Sequence, residues 1–247
     1  MKFEWPICTA RKTLQTLEKF IAGNLPQVLL LCGEENLQKK EILTHFAKKI
    51  ISENLENSAR ENAEIQIEKR ISVDTIFVDK LWQKNVCEDF AEIARFSNFD
   101  QNHRARKKIA TEKIGVDDVR EICARIFQKK IWPFKICLIF SAQRLTDAAQ
   151  NALLKIFEDP PPKTIFLLSC ENPRKLLPTI LSRARILNLK KVADAEIRKF
   201  FDFHFARIAP EKQNEILQLA RGRPKLAEKL LKNVQFFAEK SDLKNAA

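Results

Sequence analysis

A serine followed by an arginine, placed between a predicted short helix and a predicted strand, is the most specific candidate for chemistry in this chain. Ser182 and Arg183 follow a predicted helix near Arg174–Leu181 and adjoin a predicted strand over Ala184–Leu189. An arginine held there can project towards a phosphoryl group on a neighbouring protein, where a guanidinium stabilises the charge of phosphoryl transfer. The simpler interpretation is a surface arginine without a partner. The sequence around Arg183 must therefore distinguish between this interpretation and a functional arginine.

A loop after the first predicted strand has part of a phosphate-binding pattern. Gly33 and Lys39 match the pattern GxxxxGK[ST] between a strand and a helix. Gln38 stands where the second glycine belongs, and Lys40 stands where a hydroxyl would hold magnesium. Two glutamates in the same loop would repel a triphosphate. The loop is therefore predicted to be structural, and any nucleotide site here is degenerate.

The residues after the third predicted strand also lack catalytic groups. P-loop ATPases of this class carry an Asp-Glu pair there, whereas this chain has Phe140 and Ser141. A phenyl ring cannot ligate magnesium, and a serine is a poor general base for water. Losses at three positions predict that the chain has no intrinsic catalysis.

Short apolar runs alternate with amphipathic helices as far as residue 190, which predicts an α/β domain over 1–190. Strands alternating with helices form a parallel sheet with helices on both faces. Beyond this point the pattern is helical only, which predicts a small helical lid over 191–238 and a frayed tail over 239–247. The predicted strands are Val28–Cys32, Thr75–Val78, Ile136–Phe140, Ile165–Leu168 and Ala184–Leu189.

The charge of the chain is strongly positive. Its 247 residues carry a formal net charge of +12. This surplus favours a polyanionic neighbour such as nucleic acid about as well as it favours a solvated lysine-rich surface. The densest basic run covers 104–108, within a predicted exposed loop over 95–113, and is a candidate to face DNA. The polar segment 53–72 is predicted to be a poorly packed helix or a mobile connection.

The cysteines predict neither a disulfide framework nor a metal site. None of the six forms a CxxC pair, and Cys32 and Cys137 lie inside apolar runs. We therefore expect reduced thiols, no zinc or other metal, and a cytoplasmic location. The N-terminus lacks an apolar signal core and no apolar run reaches bilayer length, so no membrane association is expected.

Four segments resemble the AAA+ subunits of bacterial clamp loaders. They are Ile114–Arg120 (IGVDDVR), Asn151–Pro160 (NALLKIFEDP), Leu177–Ala184 (LPTILSRA) and Gly222–Ala227 (GRPKLA). The similarity covers about 20–235, and its most specific part is 145–183. It implies a P-loop AAA+ domain with a parallel sheet flanked by helices, followed by a small all-helical lid domain.

The resemblance is strongest to the delta-prime branch of this family, which does not hydrolyse ATP. It implies a ring-like pentamer with gamma/tau and delta subunits of DNA polymerase III, which opens the sliding clamp and places it on primed DNA. Arg183 would then act in trans, supported by Ser182, on ATP bound by a neighbouring subunit, and the chain itself would require no cofactor. Gly33, Lys39 and Lys225 would mark a degenerate nucleotide site.

Several residues depart from the family pattern. Ala184 replaces the cysteine after Ser-Arg, Cys170 takes the place of the polar sensor-1 residue, and Lys225 takes that of the sensor-2 arginine. The zinc-binding cysteine cluster is absent. The collar domain that the resemblance implies is expected to be absent from these residues.

Two other functions stay open at the level of sequence. An active ATPase resembling gamma/tau would show ATP turnover by the isolated chain. A basic nucleic-acid-binding module with a degenerate P-loop fold would bind DNA alone, with an affinity that falls steeply with salt.

Overall fold

The computed structural model describes residues 8–9, 11–79, 97–98, 113–204 and 209–233. The chain divides into two compact units. The first, which we call the sheet unit, comprises Thr16–Cys32 and Lys40–Asn188. The second, the helical unit, comprises Met1–Gln15, Gly33–Lys39 and Leu189–Ala247. The basic run 104–108 and the tail 239–247 lie outside the described residues.

A parallel sheet of five strands organises the sheet unit, in the order β2-β3-β4-β1-β5. All residues of the first four strands are buried, as continuous apolar runs require in a sheet covered on both faces. The predicted parallel α/β fold is confirmed. The strands are β1 Val28–Cys32, β2 Thr75–Val78, β3 Lys135–Ile139, β4 Thr164–Cys170 and β5 Arg185–Asn188.

Helices fill the connections between the strands, and helices alone follow β5 over the described residues, as expected. None of them is long and apolar enough for a membrane crossing within these ranges. A last helical stretch covers 224–233. The others are α1 Arg11–Ala22, α2 Lys39–Ser52, α3 Asn57–Glu68, α4 Val116–Ile126, α5 Asp147–Glu158, α6 Pro178–Arg183, α7 Asp194–His204 and α8 Pro210–Ala220.

Local chemistry explains where two central helices begin. The Asp118 carboxylate accepts a hydrogen bond from the Gly115 amide at 2.7 Å, which fixes the start of α4. The Thr146 hydroxyl accepts from the Ala149 amide at 3.2 Å, so it caps α5. Both helices pack their apolar sides into the core on one face of the sheet.

Of the two forms predicted for the polar segment 53–72, the structure has the helix: α3 buries only Ala63 and Ile67. Another predicted segment differs in its limits. The short helix predicted near Arg174–Leu181 begins later, at Pro178, after a 3₁₀ turn over Pro173–Lys175. Proline lacks an N–H and fits the first turn of a helix, so it sets this later start. Ser182 and Arg183 consequently lie within the last turn of α6.

Candidate functional site

Arg183 is the last residue of α6 and lies beside the edge strand β5 of the described sheet. Its guanidinium donates to Oε1 of Glu158 at 2.5 Å and to the Thr179 carbonyl at 3.2 Å. The side chains of the ion pair are 36% and 55% exposed, for Arg183 and Glu158 respectively. The arginine is therefore held at the surface, where a second protein can reach it.

Ser182 supports the same helix end. Its hydroxyl donates to the Thr179 carbonyl at 3.0 Å, so this carbonyl accepts from both Ser182 and Arg183. Both donors reach back to the first turn of α6 and so tie the end of this six-residue helix to its start. The two side chains of the predicted pair thus share one acceptor.

Gln150 positions this short helix, and sequence reasoning missed it. The side chain is 1% exposed and bridges α5 to the segment before α6. Its Oε1 accepts from the Leu177 amide at 2.7 Å, and its Nε2 donates to the Lys175 carbonyl at 3.3 Å. An amide on the otherwise apolar side of α5 was the signal in the sequence. A buried amide must keep its hydrogen bonds, and these two bonds of Gln150 are to the backbone before α6. Gln150 therefore anchors the turn that leads to Arg183.

The degenerate P-loop belongs to the helical unit and is bonded to itself. The Lys39 ammonium donates to the carbonyls of Gly33 at 2.7 Å and Glu34 at 2.5 Å. The Glu34 carboxylate in turn pairs with Lys191 at 3.2 Å. The lysine that would reach a phosphate in a working P-loop thus contacts its own backbone.

Within the helical unit, the segment 224–233 also contacts this loop. The Lys225 amide donates to the Asn36 carbonyl at 3.0 Å, and Lys229 donates to the Asn36 side chain at 3.1 Å. The ammonium of Lys225 pairs with Glu228 at 3.1 Å. Partial burial would raise the pKa of Glu228, but hydrogen bonds from Lys232 and Lys225 outweigh it and lower that pKa. Lys225 therefore has an acidic partner within its own helix, which it shares with Lys232.

Packing against Leu189, independent of any phosphate, accounts for the glycine at position 33. A Cβ on Gly33 would lie 3.1 Å from both the Cβ and the carbonyl of Leu189, so any side chain here would require Leu189 to shift by a few tenths of an ångström. Gln38, at the second glycine position, keeps a positive φ of 56°. Its side chain is 4% exposed and accepts from the Cys8 amide at 2.9 Å. These contacts do not fit a magnesium nucleotide held in the manner of a P-loop enzyme.

In the sheet unit, an aromatic residue and a cysteine stand at the two positions where the family resemblance predicts polar residues. Phe140, after β3, is fully buried. Cys170, at the sensor-1 position, faces Cys32 across the β1–β4 pair with 3.1 Å between the sulfurs. Across the described ranges, no group of three or more His, Cys, Asp or Glu side chains is arranged to hold a metal ion.

The chain is similar to known proteins in both sequence and fold. The chain is 42% identical over 117 residues to the DNA polymerase III subunit delta' of Haemophilus influenzae, a match that covers 46% of this chain and 35% of that protein. It is 43% identical over 70 residues to the gamma/tau subunit of Mycobacterium bovis, covering 28% of this chain and 12% of that protein. These matches span about a third or less of the relatives' own length.

A solved structure supports the fold assignment. The DNA polymerase III gamma subunit-related protein of Thermotoga maritima superposes with a TM-score of 0.54 at 21% identity, over 89% of this chain and 57% of that one. The sequence model described as DNA polymerase III, delta subunit, matches residues 9–193. This match covers most of the chain, including the P-loop and α6, and the chain therefore belongs to the DNA polymerase III delta subunit family.

Proposed function

We propose that this chain is a non-hydrolysing clamp-loader subunit of the delta-prime kind, which contributes Arg183 to the ATP site of a neighbouring subunit. The observation that carries the proposal is the exposed guanidinium at the end of α6, on a chain whose own P-loop is bonded to itself. This surface cation can contact a partner's nucleotide. The chain's own loop has Gln38 and Lys40 where a P-loop needs a glycine and a hydroxyl, so we infer that it needs no nucleotide or other cofactor of its own.

In this function, Arg183 stabilises the charge that develops on the transferring phosphoryl group of the partner's ATP. A guanidinium suits this task because it is planar, always charged and able to donate two parallel hydrogen bonds. Ser182 and Thr179 hold the last turn of α6, and Gln150 holds its start. The partners are the gamma/tau and delta subunits, the sliding clamp and primed DNA, in the cytoplasm.

A basic cleft of the sheet unit supports contact with DNA inside the assembly. Its volume is about 700 Å³, and its lining includes the cationic side chains of Lys113, Arg144, Arg174 and Lys175. It also includes Thr146 and Asp147 at the N-terminus of α5, where the helix dipole favours anions and the Asp147 carboxylate already supplies one, so the four cationic side chains carry the attraction for phosphate. Phosphate groups are the anions that such a surface selects without reading base sequence.

Reconstitution with the gamma/tau and delta subunits and the clamp of the same source tests the role of Arg183. DNA-stimulated ATP turnover is measured for the wild type, Arg183→Ala and Arg183→Lys. We expect the acceptor site to lose about a thousandfold or more in rate with Arg183→Ala, as arginine fingers do elsewhere. Arg183→Lys should recover little, since an ammonium lacks the bidentate fork.

Arg185→Ala is the matched control, because this arginine is also exposed and lies two residues further along the chain. It should leave turnover unchanged. Equal rates for the wild type and Arg183→Ala in an assembled complex would refute the function in trans. ATP turnover by the isolated chain would instead support a gamma/tau-like ATPase. Tight, salt-sensitive DNA binding by the isolated chain would favour the nucleic-acid-binding module.

A further inference from the structure

Lys40 stands at the position where a P-loop carries the hydroxyl that holds magnesium, and its ammonium has a partner within the sheet unit. The Nζ atom lies 2.6 Å and 2.8 Å from the two carboxylate oxygens of Asp79. Asp79 directly follows β2 and is 2% exposed, whereas the Lys40 side chain is 44% exposed. Both oxygens of a buried carboxylate are thus engaged by one ammonium group.

Two side chains hold the backbone of Asp79, one at its amide and one at its carbonyl. Its amide donates to the Ser97 hydroxyl at 2.9 Å, and its carbonyl accepts from the Arg144 guanidinium at 3.0 Å. The parallel register pairs Val78 with Ile139, the last residues of β2 and β3, so Asp79 and Phe140 follow these two neighbouring strands at the same level. The acidic group that is missing after β3 therefore has a counterpart after β2, one strand away.

A second cation completes the cluster. The Arg70 guanidinium lies 4.8 Å from the ring centre of Phe77 and 5.8 Å from that of Phe140. Burial lowers the pKa of Arg70, and the Asp79 carboxylate opposes that shift. Lys40 approaches the same Phe140 ring at 5.7 Å, so the ring has two cations within about 6 Å of its centre.

The charges of this cluster oppose a divalent cation. Two cationic side chains and one carboxylate leave a net positive charge, and a third cation, Arg144, bonds to the backbone of Asp79. Magnesium needs several oxygen ligands in octahedral geometry, and the carboxylate that would supply them is bonded to Lys40. An approaching Mg²⁺ would meet repulsion instead of ligands.

We propose that the Lys40 ammonium replaces a divalent cation in this chain and forms, with Asp79, an internal and metal-free charge centre. The ammonium supplies the positive charge that the buried carboxylate needs. Lys40 is then a structural residue whose removal uncovers a carboxylate. Replacing the lysine with threonine would add a hydroxyl beside the Asp79 carboxylate, and these oxygens together are ligands that magnesium accepts.

Thermal unfolding of the full 247-residue chain tests the proposal, with excess EDTA or with about 5 mM MgCl₂, a concentration in the range of weak Mg²⁺ sites. The variants are Lys40→Met, Lys40→Thr and the control Lys48→Met. Lys48 lies on the same helix α2 and pairs with Glu68, which is 73% exposed. The Lys48 side chain itself is 20% exposed, so the control removes an equal charge from a pair whose carboxylate, unlike that of Asp79, is solvated.

We expect Mg²⁺ and EDTA to leave the wild type unchanged. Lys40→Met should lower the melting temperature by roughly 5 °C, because it leaves a buried carboxylate without its partner, and Lys48→Met by less than about 2 °C. Mg²⁺ should raise the melting temperature of Lys40→Thr but not of Lys40→Met.

Three results would overturn the proposal. One is stabilisation of the wild type by Mg²⁺, and another is an equal loss in Lys40→Met and Lys48→Met. The third is a Lys40→Thr variant that does not respond to Mg²⁺, which would reduce the cluster to an ordinary ion pair. If Lys40→Met does not fold, the double variant Lys40→Met/Asp79→Asn should, because it removes both charges. Failure of the double variant as well would also contradict a role limited to charge balance.

Discussion

Glu158 and Arg183 close the gap between the C-terminal ends of α5 and α6, with 2.5 Å between Oε1 and the guanidinium. Each residue is the last of its helix, and a cation at one helix end here faces an anion at another. Within the proposed function, the arginine has two alternative partners, the carboxylate of its own chain and the phosphoryl group of its neighbour. The two compete for the same guanidinium.

Replacing Glu158 with glutamine should therefore favour the neighbour's phosphoryl group. Exposed ion pairs contribute up to about 1 kcal/mol, so we expect ATP turnover of the reconstituted complex to rise by up to about fivefold. The melting temperature of the isolated chain should change little for the same reason. Steady-state turnover, measured beside Arg183→Ala, checks the prediction. A fall as deep as that of Arg183→Ala would instead make Glu158 a residue that orients the arginine.

Gly222 permits a close approach within the helical unit. Its φ is +73°, and a Cβ would lie 2.7 Å from the Val192 carbonyl. The Gly222 carbonyl also accepts from the Val192 amide at 2.8 Å, so the two segments cannot separate without losing that bond. Gly222→Ala should lower the free energy of unfolding by about 2 kcal/mol, from backbone strain and overlap together.

Urea unfolding followed by circular dichroism measures this loss. Gly23→Ala is the control, since its Cβ would meet only the Lys19 carbonyl, at 3.9 Å. A control glycine with room for a methyl group should be neutral or slightly stabilising. Similar curves for Gly222→Ala and the wild type would show that the turn relaxes without cost.

His45 makes stability dependent on pH. Burial first, and then the charges of Lys49 and Lys48, lower its pKa to about 4. The unfolded chain binds a proton at this residue near pH 6.5, whereas the folded chain binds it near pH 4. Between these values the unfolded state holds more protons, so stability is complete above about pH 6.5 and falls as the pH drops towards 4.

His45→Gln should remove this part of the pH dependence, because an amide does not titrate in that window. We expect the wild type to lose about 1–2 kcal/mol more than the variant between about pH 7 and pH 4.5, after allowance for partial solvent exposure. Urea unfolding at several pH values gives both slopes. Parallel slopes would mean that His45 accepts its proton equally well in the folded chain.

The strands and the long helices were predictable because their signals are local. β1 and β4 are continuous apolar runs, and α5 shows a cap at Thr146 followed by apolar side chains at helical spacing. The start of α6 was predicted too early, because basic residues after Asn172 could continue either into a helix or into the 3₁₀ turn that they form. Pro178, which fits the first turn of a helix, places the start of α6 after the 3₁₀ turn.

The candidate site was only partly predictable. Ser182 and Arg183 stood out by their motif, and the loss of the glycine and hydroxyl positions was visible at Gln38 and Lys40. Gln150 was not recognised, because an amide on a helix shows its role only when its two backbone partners, 25 and 27 residues away, are known. The predicted domain limits and the proposed roles of the site residues stay predictions.

The sequence by itself determined the class of fold, the family motifs and the Phe140-Ser141 pair that follows β3. These follow from residue types and from periodicities that span a few turns. Only the tertiary structure decided which charges meet: Lys40 with Asp79, 39 residues away, and Arg183 with Glu158, 25 residues away. Many lysines and acidic residues could pair in an unfolded chain. The buried sheet and the helices packed on it select among them. The Asp79 carboxylate is removed from water and needs the cation that the fold brings to it, whereas the exposed Glu158 meets Arg183 because the ends of α5 and α6 lie together.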